Sequence, residues 1–235
     1  MKKVVQNLHV FPFFMGFVNV YLLETPDGLL LVDTGVSAAQ MQRVTDDIQA
    51  AGHDLSELKH IFITHAHPDH TGGLRDLQKR LPATTQTYAH AHEARVIRGE
   101  APILKARPED VGMVSRLMLR FMPDDLPETA RVDVEVSDGD TIADMVQVVA
   151  LPGHSPGHCG LWWEQARILI GGDVVMHAPW GLVKPLAPAT PDMPTAKQSI
   201  QKVAQMQPEM VCICHGAPIK AAASVMRDYA ARVAG

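Results

Sequence analysis

Apolar residues recur along this chain with two periods, and the change from one to the other marks its elements. FVNVYLLE (17–24) and LLLVD (29–33) are apolar runs on either side of TPDG, where Pro26 and Gly28 supply turn angles, so they predict a β-hairpin. In 38–51, Met41, Val44, Ile48 and Ala51 fall three or four apart, the spacing of one helical face. HIFIT (60–64) predicts a short buried strand, and TTQTYAH (84–90) alternates like another. Residues 91–122 read as helical, with breaks at Gly99 and near Pro102 and Pro108. Strands return at MVQVVALP (145–152), HCGLWWE (158–164), RILIGGD (167–173) and MVCICHG (210–216), with helices over 196–206 and about 220–234. APWGLVKPLAPATPDMP (178–194) reads as a long loop, a kind that in compact domains is functional or disordered. Strands lead each half and helices follow, which predicts two stacked sheets with helices outside. The expected organisation is one domain over 1–235, with a helical insert at about 91–125 that would act as a lid.

Composition narrows the function classes. A hydrophobic share of 46% and a charged share of 20% describe a globular chain rather than a disordered one. The net charge of −5 leaves no basic excess to neutralise phosphates, so nucleic acid is not an expected partner and a small molecule is. Three cysteines, Cys159, Cys212 and Cys214, make no disulfide framework and point to a reducing cytoplasm. Cys212 and Cys214 lie two apart, on one face of a strand, and are expected in the core. The start, MKK and then FPFFMGFVNVYLL, has the look of a leader, but Pro12, Gly16 and Asn19 interrupt it, so it is expected to fold with the rest. No run is long and apolar enough to span a bilayer, so no membrane is expected.

The chemistry concentrates in ITHAHPDHTGG (63–73). Burying several imidazoles costs free energy unless each finds a partner, and a metal ion is the first candidate. His65, His67, Asp69 and His70 follow one predicted strand; His154, Asp173 and His215 each follow another. Strand ends can converge on one edge of a sheet assembly. Seven nitrogen and oxygen donors there would form two cation sites, and imidazole with carboxylate suits zinc, iron or manganese.

THAHPDH resembles the T-H-x-H-x-D-H signature of the metallo-β-lactamase-fold hydrolases. LVDTG around Asp33, PGHSPGH around His154, GGD at Asp173 and CHG at His215 resemble that family's other landmarks in the same order. The resemblance, from about residue 17 to 216, implies an α+β four-layer αββα sandwich with the site at one edge. It implies that His65, His67 and His154 hold one metal, that Asp69, His70 and His215 hold a second, and that Asp173 bridges them. Asp33 would accept a ring N–H from a ligand histidine and fix its tautomer. The implied cofactors are two divalent ions, zinc first, with iron or manganese as alternatives. The implied activity is hydrolysis by a metal-bridging hydroxide, with Asp69 and Asp173 catalytic and Asp69 orienting the nucleophile or shuttling its proton.

Departures from the family pattern narrow the choice. Aspartate at 173, where family β-lactamases commonly carry cysteine or serine, disfavours a true β-lactamase. The chain has no room for the extra domains of the flavo-diiron and nuclease members. About 20 residues after His215 leave little for a glutathione-binding helical domain. What remains is a hydrolase of a small ester, lactone or thioester, although the tyrosine common in family lactonases is missing between 173 and 215. One alternative is a mononuclear iron persulfide dioxygenase using His65, His154 and Asp173; another is a non-catalytic metal-binding scaffold. His158 is expected either to contact substrate or to bond locally at a strand start. His177 and Trp180 follow Asp173 closely and are expected to line a pocket. Met118 belongs to a Met-rich helix with Met113, Leu117 and Phe121, expected as a lid, as core or as a homodimer contact. His90 and His92 are expected at the surface or in a helix cap.

Overall fold

The computed structural model describes residues 1–234. Seven strands form one sheet in chain order: β1 (Lys2–Val5), β2 (Leu8–Phe13), β3 (Val18–Thr25), β4 (Gly28–Val32), β5 (Leu58–Phe62), β6 (Gln86–His90) and β7 (Val134–Val136). β1 to β4 are antiparallel neighbours; β4 to β7 are parallel. Parallel neighbours need crossovers. These run through α1 (Ala38–Ala50), then α2 (Pro68–Thr71) and α3 (Leu74–Arg80), then α4 (Ala91–Ile97) and α5 (Met113–Leu119).

The second sheet contains β8 (Thr141–Ile142), β9 (Val146–Ala150), β10 (Cys159–Trp163) and β11 (Ile168–Ile170). A separate ribbon, β12 (Met176–Ala178) with β13 (Gly181–Val183), precedes α6 (Met193–Met206). β14 (Met210–Cys212) and β15 (Ile219–Lys220) complete the sheet in the order β15-β14-β11-β10-β9-β8, and α7 (Ala222–Val233) follows.

Side-chain alternation produces the layers. Leu29 and Leu31 point to one face of the first sheet and pack with Met41, Val44 and Ile48 of α1. Leu30 and Val32 point to the other face and meet Val148, Leu161 and Ile170 of the second sheet. That sheet turns Val149, Leu169 and Val211 outward against Ile200 of α6 and Met226 of α7. The result is the α+β sandwich αββα. α1 starts where the Ser37 side chain accepts from Gln40 N–H and ends before Gly52, at φ 98°. Its three large buried residues are each worth roughly 1.5–3 kcal/mol in burial.

Two expectations need correction. The helical reading of 91–122 holds only for α4 and α5; Gly99 at φ 78° and the prolines break the rest. The stretch 178–194 holds β13, a 3-10 turn at Ala187–Ala189 and the start of α6, which the Asp192 side chain caps by accepting from Thr195 N–H. The apolar start forms β2 and β3. Among the described residues, no helix is long and apolar enough to cross a membrane.

Topology sends the chemistry to one edge. β4 and β5 run parallel, so Asp33 and the segment after Phe62 emerge side by side. β9 and β11 are both antiparallel to β10, and β14 is parallel to β11, so His154, Asp173 and His215 leave the second sheet in one direction.

Candidate metal centre

The turn after each strand is built to hold its ligand. Gly172, before Asp173, has φ 52°, and a Cβ there would lie 2.7 Å from His158 Nε2. Gly153, before His154, has φ 120°, and a Cβ would lie 2.1 Å from the Ala196 nitrogen. Asp33 itself adopts φ 64°, an uncommon conformation for a residue with a side chain.

Three ring nitrogens converge first. His65 Nε2 lies 3.0 Å from His67 Nδ1 and 3.1 Å from His154 Nε2. Nitrogens on a tetrahedral zinc ion sit about 3.3 Å apart, from Zn–N bonds of about 2.05 Å. A second group, His70, Asp173, Cys214 and His215, brings one donor atom from each within 4.8 Å of the others. Asp173 stands between the two groups. Its Oδ2 lies 3.4 Å from His154 Nε2 and 3.0 Å from His215 Nε2, and its Oδ1 lies 3.5 Å from His70 Nε2. Asp69 joins from the solvent side, with Oδ2 3.2 Å from His215 Nε2 and its side chain 33% exposed.

Tautomers are fixed from behind. His70 donates Nδ1–H to Asp33 Oδ2 at 2.8 Å. The Thr64 hydroxyl donates to that same carboxylate at 2.9 Å and accepts from His65 Nδ1 at 3.1 Å. The Thr190 hydroxyl donates to Leu186 O and accepts from His154 Nδ1 at 3.0 Å, and His215 Nδ1–H donates to the carbonyl of Phe17. Each of these four rings therefore turns its Nε2 inward, where a cation would take the place of any proton on it. His70 Nε2 and Asp173 Oδ1 are buried without a hydrogen-bond partner, which a cation between them would satisfy. The donor set of imidazole and carboxylate fits zinc, iron or manganese.

Electrostatics divides the two groups. Burial pushes the His65, His67 and His154 pKa values down, so these rings are neutral lone-pair donors at neutral pH. Burial opposes charge on His215 as well, but Asp173 and Asp69 overcome it and raise its pKa to about 11. Burial raises Asp69, and His70 and His215 outweigh it to leave that pKa at about 2. The second group is thus an acidic nest that binds positive charge.

The structure brings together all seven residues expected to be ligands, with Asp33 behind His70. It places the expected pocket residues elsewhere. His158 is buried, donates Nδ1–H to Leu151 O at 2.8 Å and accepts from the Asp173 N–H at 3.0 Å, so it steadies the turn at Asp173 and does not face the cavity. The turn between β12 and β13 carries Trp180 out to 82% exposure, and the His177 ring lies on the surface beside Ala217 O. Met118 is 39% exposed on α5 and does not line the cavity. Ile103 and Met122, from the coil before and after α5, do so instead. Cys159 and Cys212 are buried between the sheets, whereas Cys214 packs in the helix-facing core and also borders the second group. His90 caps α4, with Nδ1 accepting from His92 N–H.

Three contributors carry no sequence signal of their own: the Phe17 carbonyl, Thr190 on the loop before α6, and Glu93. Glu93 is buried on α4 and accepts from Ala66 N–H, the Ser155 hydroxyl and Gly157 N–H. The centre opens into a cavity of about 180 Å³. Phe17, Ile103, Met122, Met176, Leu186 and Ala189 wall it, His67, Asp69, His154, Asp173 and His215 form its polar end, and no lysine or arginine lines it.

The family model of the metallo-beta-lactamase superfamily matches residues 14–215. Over 217 residues the chain is 30% identical to YflN, a probable metallo-hydrolase of Bacillus subtilis (strain 168), covering 86% of this chain and 81% of that one. A metallo-beta-lactamase family protein of Thermus thermophilus, TTHA1429, superposes with a TM-score of 0.70 at 21% identity, over 98% of this chain and 80% of that one. TTHA1623, solved in a di-iron-bound form, gives a TM-score of 0.67 at 23% identity, over 92% and 96% of the two chains. These structural likenesses speak for the fold, and the family match reaches from Phe14, just before β3, to His215; the chain belongs to the metallo-beta-lactamase superfamily.

Proposed function

We propose that this chain is a dinuclear metal-dependent hydrolase of a small, uncharged ester, lactone or thioester. The observation that carries the reading is Asp173, whose carboxylate reaches both donor groups at the end of an apolar cavity. When bound, a pair of divalent cations supplies Lewis acidity and a water acidified toward neutral pH. The chain's own residues supply the rest. Asp69, ionised at the mouth of the centre, is placed to orient the attacking water. Thr64, Asp33, Thr190 and the Phe17 carbonyl keep the ligand rings from turning, so little reorganisation is needed during reaction.

The cavity supports the substrate class. Typical small-molecule sites enclose roughly 300–1,000 Å³, so about 180 Å³ suits a small acyl group. The walls carry no lysine or arginine to bind a carboxylate at the far end of a substrate, which favours uncharged acyl compounds over β-lactams and glutathione thioesters. His70, Asp69 and His215 form a second donor set that a mononuclear iron dioxygenase does not need. Protein stripped of metal and reloaded with zinc, manganese or ferrous iron should be assayed on neutral lactones, aryl esters and short acyl thioesters, beside carboxylate-bearing analogues. The expected result is kcat/KM at least about tenfold higher for the neutral compounds. Two bound ions with no turnover across the panel would favour the non-catalytic scaffold.

A further inference from the structure

Three acidic side chains are buried among the described residues: Asp33, Asp173 and Glu93. The first two belong to the motifs. Glu93 is 1% exposed, lies outside them, and faces away from the cavity. Its Oε2 accepts from Ala66 N–H at 2.7 Å. Its Oε1 accepts from the Ser155 hydroxyl and from Gly157 N–H, each at 2.8 Å, and His92 Nδ1 lies 3.3 Å from it.

The position of those donors matters. Ala66 separates His65 from His67, and Ser155 follows His154. One carboxylate therefore holds both loops that carry the first nitrogen triad. We propose that Glu93 is a positioning residue for the first metal ion, clamping these loops at the separation the ion requires. The inference rests on the two-ion reading of the centre.

Three observations support it. His65 Nε2 lies 3.0 Å from His67 Nδ1 and 3.1 Å from His154 Nε2, so the triad spans the two loops and any change in their separation reaches it directly. The backbone supplies one rung beneath them, Cys159 N–H to Thr64 O at 3.0 Å, and Glu93 links the loops beyond it. The approach is also shaped to the carboxylate: a Cβ on Gly157 would lie 2.8 Å from Glu93 Oε1 and 2.4 Å from His90 Nδ1. Burying a carboxylate is costly unless donors surround it. Here His92, Ala66, Ser155 and Gly157 hold its pKa below the ordinary range although burial raises it. Because α4 opens the insert, the clamp also bolts the base of the insert to the metal centre.

Glu93→Gln tests this with little change in volume: the amide presents N–H groups where only acceptors fit. The full chain is stripped of metal and titrated with zinc against a chelating competitor, and with cobalt followed by its d–d absorption. His67→Ala and His215→Ala, titrated in parallel, identify the first and second sites. The expected result is a loss of about 10–100-fold in affinity at the first site, as for other partners behind a metal ligand. The second site should stay within about threefold, and the spectrum of first-site cobalt should shift. Ser155→Ala, which deletes one donor, should give a smaller loss at the same site, and it carries the test if Glu93→Gln does not fold. A purely structural role would lower the melting temperature of metal-free protein and leave both affinities alone. Parent-like first-site affinity in the folded variants overturns the clamp. A parent chain that binds no ion at the first site overturns the clamp and the two-ion reading together. No substrate is used, so failure on the ester panel leaves this result independent.

Discussion

Asp173 carries more of the centre than any other side chain, because its two oxygens face histidines of both groups. Asp173→Ala removes the shared anion and leaves His154 and His215 without it. It should retain fewer than two ions by elemental analysis and lose at least about 100-fold in kcat/KM; a variant with two ions and full turnover would refute the bridge. The cysteines make the opposite case. Burial pushes all three thiol pKa values up, so almost no thiolate exists at neutral pH. None should react with a thiol reagent in the native state, and all should react in denaturant. Glu93 sets a pH dependence. Its folded pKa lies below the reference 4.5, so as pH falls the unfolded chain takes up the proton first. Its stabilisation is fully present above that reference and is lost as pH drops through the lower folded value. In metal-free protein, Glu93→Gln should therefore show a flatter fall of melting temperature below about pH 4.5. The ligand histidines were legible in the sequence because each sits beside its own strand end in a short, dense motif. Glu93, Thr190 and the Phe17 carbonyl were not. Each acts on a residue 27 or more positions away, and only folding defines that contact.

α5 shows what helical spacing can and cannot say. Met113, Leu117 and Phe121 fall on one face, yet α5 buries none of its residues and those three are exposed. Packing in the core, one of the roles expected for it, is excluded; a lid and a homodimer contact stay as proposals. Leu117→Glu should leave the melting temperature within about 2 °C of the parent, since surface changes cost within about ±0.5 kcal/mol. A fall in molecular mass by sedimentation would assign this face to a dimer. Met122, in the coil after α5, lines the cavity. Met122→Ala should raise KM several-fold for apolar esters and change kcat little, the sign of lost uniform binding. β3 and β4 are readable as unbroken apolar runs because both their faces are buried, and α1 because burial on one face writes a helical period into its sequence. The insert's Met, Leu and Arg favour a longer helix than the fold contains, while Gly99 and its prolines decide otherwise. β12 and β13 were hidden because two three-residue strands are too short for alternation to show.

At the scale of the whole molecule, the centre ties the two sheets together. His65, His67, Asp69 and His70 follow β5 of the first sheet, and His154, Asp173 and His215 follow β9, β11 and β14 of the second. An ion held by both sets is a cross-link that exists only in the folded chain. Ligand binding to the native state alone stabilises by about 2.7 kcal/mol when free ion is about 100 times Kd. Two such ions contribute about 5 kcal/mol. In a domain of this size each kcal/mol moves the melting temperature by about 2–4 °C, so removing both ions should lower it by about 10–20 °C. Calorimetry of chelator-stripped protein, repeated after stepwise return of zinc, manganese or ferrous iron, measures this. The rise should continue to two equivalents. One that ends at a single equivalent would show only one strong site, and no rise with any of the three would mean that these side chains hold no ion. Protons and metal compete for the same ring nitrogens, so the stabilisation should also shrink as pH falls, whereas a cross-link made only of packing would not depend on added metal at any pH.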